Sequence, residues 1–180
     1  MTLPRDYQGQ SCALSRAMEV IGERWTLLIV RDAFFGVRRF GDFVRHLGVP
    51  RAVLTDRLAG LTAAGVLARV PDGGKREVYV LTGKGVGLWP AVRALTQWGD
   101  EHHPVPGGPR RSFRHADDDA YVGPDGRCTG CGAPVDAADL LVVPGPGLPP
   151  PSPDDDPITA ALRRPQRLLR PLPLTKGPSA

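Results

Sequence analysis

Along the first hundred positions, apolar residues recur with the period of helices. In "CALSRAMEVIG" (12–22), Leu14, Met18 and Ile21 share one stripe. "RWTLLIVRDAFFG" (24–36) is apolar on nearly every side, which predicts a buried central helix. "RRFGDFVRHLG" (38–48) gathers Phe40, Phe43, Val44 and Leu47 on one face, and Gly22, Gly36 and Gly48 stand where helices stop. "PRAVLTDRLAGLTAAG" (50–65) opens on Pro50, suited to a first turn, and then repeats Leu54, Leu58 and Leu61 at i, i+4, i+7. Next come two β-forming runs, "VLARVP" and "KREVYVL", on either side of Asp72-Gly73-Gly74, the pattern of a hairpin. "TGKGVGLWPAVRALTQWGDEH" (82–102) predicts a helix capped by Thr82, with Trp89, Val92 and Thr96 on one stripe and a kink at Pro90.

The expected fold class is mainly α with a small β-hairpin. Helix, helix, helix, tight turn, helix, hairpin and long helix is the order of a winged helix-turn-helix. That unit spans 10–103. "HPVPGGPRR" continues as a linker over 104–111. Residues 112–147 form a small segment around the pair Cys128 and Cys131. Residues 148–180 are proline-rich and read as mostly disordered, with a brief helix before Pro165 as the one exception.

Charge sharpens this picture. The net charge of the chain is +4, but residues 38–76 alone hold 8 basic and 3 acidic residues, and residues 104–180 balance at 9 and 9. The excess therefore lies on the fourth helix, the segment before it and the hairpin. With Leu54, Leu58 and Leu61 against the core, Arg51, Ala52, Thr55 and Asp56 face outward, and a helix presented this way fits the major groove of DNA. Arg57 borders the core face at phosphate distance. Lys75 and Arg76 at the hairpin tip complete a recognition helix and a wing. Double-stranded DNA is the expected partner, and a protein-binding adaptor is the alternative use of the same shape. No G-x-S-x-G, Walker loop, strand-borne G-x-G-x-x-G or H-E-x-x-H occurs, so an enzyme is not expected; "TGKGVG" (82–87) reads as a helix cap. There is no apolar run long enough for a membrane span and no apolar core in "MTLPRDYQGQSC" to make a signal peptide, so a cytoplasmic protein is expected.

The assembled motifs bring a family into view. "G-x-x-W-T-L-L-I-x-R-D", "R-R-F-x-x-F", "L-x-x-R-L-x-x-L-x-x-x-G", "Y-x-L-T-x-x-G" and the closing "W-G", with Cys12 ahead of them, closely resemble the HxlR-type winged helix-turn-helix transcriptional regulators, relatives of the MarR group. The resemblance covers about residues 10–103. It implies a homodimer on a pseudo-palindromic operator, with repression the expected sign. Dimerisation would run through 12–22 and 83–102, where Trp89 and Trp98 suit an interface. The family's DNA-contacting positions fall on Arg51, Thr55 and Arg57, on Lys75 and Arg76 in the wing, and on Arg38 and Arg39. Some family members sense oxidants or electrophiles through a cysteine near Cys12, which makes Cys12 a candidate redox sensor; a small buried hydrophobe is the other reading.

The extension departs from the family core. "RCTGCGAPV" is a C-x-x-C knuckle, half of a zinc ribbon, which makes Cys128 and Cys131 candidate metal ligands and zinc the candidate cofactor. Zinc wants four ligands and no second knuckle follows. His102, His103 and His115 lie upstream at irregular spacing. A four-cysteine site shared across a dimer, a ribbon that has lost its metal, and a free dithiol are all open on the sequence.

Overall fold

Four helices come first in the computed structural model, which describes residues 12–74 and 76–174. They are α1 (Ala13–Ile21), α2 (Thr26–Phe34), α3 (Phe40–Leu47) and α4 (Arg51–Ala63). Helix α2 begins two residues later than its apolar run because Trp25 adopts a left-handed backbone, with φ 79°. Ile29, Val30 and Phe34 on α2 are fully buried, as a helix apolar on nearly every side requires. The turn between α3 and α4 is three residues: Gly48 ends α3 in the left-handed region at φ 63°, Val49 is buried, and Pro50 caps α4. This tight turn makes α3 and α4 a helix-turn-helix.

The hairpin forms as expected. Strands β1 (Leu67–Pro71) and β2 (Glu77–Leu81) pair antiparallel from Leu67↔Leu81 to Pro71↔Glu77. The Tyr79 N–H donates to the Arg38 carbonyl, so the residues ahead of α3 brace the wing. Thr82 caps α5 (Gly83–Val86), its side chain accepting from the Gly85 N–H. One kinked helix over 82–102 does not occur. Pro90 instead sits in the first turn of a separate helix α6 (Trp89–His102), where a missing N–H leaves no carbonyl without its partner.

Residues 104–174 then build a second layer that the hydrophobic pattern did not announce. Strand β3 (Arg111–His115) pairs with β4 (Leu140–Pro144), and β4 with β5 (Gln166–Arg167), all antiparallel. Helix α7 (Pro157–Ala161) precedes β5, capped by Asp156, whose carboxylate accepts from the Ile158 and Thr159 N–H groups.

The expectation of disorder beyond 148 is corrected over 148–174. Ile158, Leu162, Leu168 and Leu172 are buried in the same cluster as Phe34, Phe43 and Leu54. The backbone is tied as well: Leu169 N–H donates to Phe34, Leu172 N–H to Gly36, and Leu168 N–H to Leu140. The prolines keep the helix and the strand here short, but they do not prevent four apolar side chains from covering an apolar ledge. Gly36 makes the close approach feasible, because at φ 90° a Cβ there would collide with the Arg170 carbonyl.

Trp89 packs between Phe34, tilted at 4.9 Å, and Phe113, edge-to-face at 5.2 Å. It is therefore a core residue joining α2, α6 and β3, and not the interface residue its sequence position suggested. Among the described residues, no helix is long and apolar enough to cross a membrane.

Candidate nucleic-acid interface

Helix α4 separates its two faces cleanly. Leu54, Leu58 and Leu61 are at most 1% exposed, whereas Arg51, Ala52, Thr55 and Asp56 are all open to solvent. The Arg51 guanidinium lies over the Phe40 ring at 5.2 Å, which steadies a long side chain in the first turn without removing its hydrogen-bond donors. The Thr55 hydroxyl donates to the Arg51 carbonyl one turn back at 3.0 Å. Its methyl group and its remaining acceptor capacity stay outward.

The other basic residues are tethered to different degrees. Arg39 pairs with Asp72 at 2.6 Å, fastening the start of α3 to the wing while remaining largely exposed. Arg38 donates to the Leu169 carbonyl at 3.2 Å, so the extension holds it from behind. Arg57 pairs with Glu23 at 2.9 Å and its Nε is buried without a partner. It borders the core face as its position predicted, but it carries its own counterion. Arg76 is exposed at the hairpin tip, its carbonyl accepting from the Asp72 N–H. Lys75 lies outside the described residues. Arg51 and Arg76 thus keep their donors open on the surface, whereas Arg38, Arg39 and Arg57 are engaged.

Cys12 is exposed at the N-cap of α1. The backbone N–H groups of Ser15 and Leu14 lower its pKa below the ordinary thiol value.

In the extension the knuckle does not stand alone. Cys128 Sγ lies 3.1 Å from Asp118 Oδ2, and Cys131 Sγ lies 3.7 Å from His115 Nδ1. Of the three histidines at irregular spacing, the structure selects His115, brought to the knuckle from the end of β3. His102 and His103 instead flank Trp98, at 5.0 and 5.4 Å. Sequence reasoning missed Asp118, because nothing in "HADDD" marks which carboxylate turns inward. It also missed Glu23 and Asp72, the acids that hold the recognition arginines.

Comparison with known proteins places this architecture. The HxlR-like helix-turn-helix family matches residues 20–105. The chain is 45% identical over 148 residues to an uncharacterised HTH-type transcriptional regulator of Mycobacterium tuberculosis, covering 81% of this chain and 92% of that one. It is 32% identical over 98 residues to the uncharacterised HTH-type transcriptional regulator YvaP of Bacillus subtilis, covering 52% of this chain and 91% of that one. The crystal structure of a candidate transcription factor, PA1607, superposes with a TM-score of 0.61 at 34% identity, over 82% of this chain and 99% of that one. The mycobacterial relative and PA1607 therefore match well into the extension, and YvaP matches essentially the winged helix.

Proposed function

Because this chain belongs to the HxlR-like helix-turn-helix family, we propose that it is a transcriptional regulator that binds a pseudo-palindromic operator as a homodimer. The observation that carries this reading is the first turn of α4. Arg51 and Thr55 project from a helix whose other face is locked by three buried leucines. A helix placed this way enters the major groove with its N-terminal residues toward base edges. Arg76 at the wing tip is placed for a phosphate, and Arg39 at the start of α3 would reach one by releasing Asp72; the sequence reading adds Lys75, which lies outside the described residues. Arg57 would reach a phosphate by exchanging Glu23 for it, and Arg38 by releasing Leu169. In a two-fold dimer the two α4 helices would lie about 34 Å apart, one turn of DNA. Repression is the expected sign.

The test is a fluorescence-anisotropy titration of the purified chain against DNA upstream of its own gene, at two salt concentrations with competitor DNA. The expected result is binding that outcompetes nonspecific DNA and weakens steeply with salt, because each phosphate contact releases counterions. A protein that ignores DNA at low salt would overturn the proposal and leave a protein-binding adaptor as the use of the fold.

A second reading adds regulation through Cys12, favoured by its exposure and its lowered pKa. Its thiolate is the group that an electrophile would alkylate. Cys12→Ser is expected to leave operator affinity unchanged and to abolish any loss of binding caused by a thiol-reactive electrophile. A response that persists in the variant would refute it.

A further inference from the structure

The loop between β3 and β4 has little apolar material to hold it. Over residues 116–136 Cys128 alone is fully buried. Isolated bridges at Arg114–Tyr121, Val122–Cys128 and Arg127–Pro134 give it shape. A loop this long and this polar needs some other fastening.

Four side chains converge inside it. His115 closes β3. The chain turns over residues 115–120, with the His115 N–H donating to the Ala120 carbonyl and the Ala120 N–H to Asp118 Oδ1, which folds Asp118 back. The knuckle then supplies Cys128 and Cys131. One ligand atom from each of the four lies within 4.8 Å of all the others. Three of the separations, with Oδ1 as the Asp118 ligand atom, are 3.7 Å for Cys131 Sγ to His115 Nδ1, 3.4 Å for His115 Nδ1 to Asp118 Oδ1, and 3.3 Å for Cys128 Sγ to Asp118 Oδ1. Zinc–ligand distances of about 2.0–2.3 Å give a tetrahedron with edges of about 3.3–3.8 Å. The three separations match those edges.

The surroundings are those of a metal site. The N–H groups of Gly130 and Cys131 point at Cys128 Sγ, at 3.3 and 3.5 Å, and fix where the sulfur lies. His115 Nε2, the ring nitrogen turned away from the cluster, lies 3.5 Å from Asp117 Oδ2, the kind of carboxylate partner that orients a metal-bound imidazole. A Cβ at Gly130 would stand 2.8 Å from Asp118 Oδ2, so a larger residue there would push that carboxylate aside. Two sulfurs, one imidazole and one carboxylate suit zinc and are wrong for calcium or magnesium.

We propose that His115, Asp118, Cys128 and Cys131 of a single chain bind one Zn2+ ion as a closed structural site. Coordination displaces the two thiol protons to solvent and leaves no open position for substrate. The ion joins the end of β3 to the knuckle and so fixes the loop between them. That loop also grips the winged helix: Arg93 of α6 donates to the Val122 and Gly123 carbonyls, and Gln97 donates to Pro124. The metal thus clasps the extension onto α6. The site stands whether or not the chain binds DNA.

Metal content and cobalt(II) spectra of the full chain test this, in a Cys12→Ser background that removes the third thiol. The expected result is one zinc per chain surviving dialysis. The cobalt form should show the strong visible absorption of a tetrahedral site together with thiolate charge transfer. His115→Ala and Cys131→Ser should each weaken zinc binding by at least about tenfold, since even residues that merely support ligands cost this much. Asp118→Cys preserves four ligands, so it should keep the metal and strengthen the charge-transfer band by a third thiolate; it carries the test if the other variants fail to fold. Zinc that washes out of the parent chain, one zinc per two chains, or a cobalt spectrum indifferent to Asp118→Cys would overturn the proposal.

Discussion

Arg51 and Asp32 are both charged residues on helices, and their surroundings give them opposite tasks. Arg51 is exposed, braced by Phe40, with its donors open. Arg51→Ala is expected to cost about 1–3 kcal/mol of discrimination between operator and scrambled DNA, as loss of one good base contact does. Paired titrations against the two DNAs measure this, and an equal loss on both would demote Arg51 to a phosphate contact. Asp32 is fully buried, with Oδ1 held by Arg31 at 2.7 Å and Oδ2 without a partner. Burial raises its pKa above the ordinary carboxylate value, against the opposing pull of Arg31 and His46. A raised carboxyl pKa means that the folded state holds a proton the unfolded chain has released. The stabilising contribution is therefore full below about pH 4 and is lost as pH rises through the folded pKa. Unfolding free energies of the parent and of Asp32→Asn, measured from pH 4 upward, should show the parent losing ground to the variant as pH rises. A constant gap would mean that Asp32 titrates normally.

At the scale of elements, the winged helix was legible and the extension was not, for a definite reason. Helices α2 and α4 carry their own periodicity, and the wing carries its glycine turn, so local sequence is enough to find them. Ile158 and Leu162 stand one helical turn apart, as do Leu168 and Leu172, but Arg163, Arg164, Pro165 and Pro171 break any longer repeat. Their partner is the end of α2, more than a hundred residues earlier, which no local window sees. The cluster of His115, Asp118, Cys128 and Cys131 was half legible in the same way. The C-x-x-C spacing is a local signal, whereas His115 and Asp118 join it only through a turn and three isolated bridges. Leu168→Ala is expected to destabilise the chain by about 2–5 kcal/mol, the cost of emptying a filled core site. Chemical denaturation followed through the tryptophans reads this, and a loss below about 1 kcal/mol would mean that the extension merely rests on the core.

Among the described residues, α1 and α6 each leave large apolar side chains exposed. On α1, Leu14 and Met18 are 68% and 37% exposed; on α6, Leu95 and Trp98 are 53% and 55% exposed. These helices are the ones the family resemblance assigns to dimerisation; Trp98 is exposed there, whereas Trp89 is buried in the core. Trp98→Glu is expected to yield a folded monomer by light scattering, with operator affinity falling together with dimerisation. A variant that stays dimeric would move the interface elsewhere.

The strap over Gly36 also bears on how the protein is made. Leu168 and Leu172 complete a core begun by Ile29 and Phe34, so the recognition helix rests on a core whose last pieces leave the ribosome long after it does. Domains ordinarily fold as units as they emerge. Here a chain broken off before residue 157 lacks all four side chains that cover the end of α2, and that apolar ledge stays open to solvent until the rest of the chain is made.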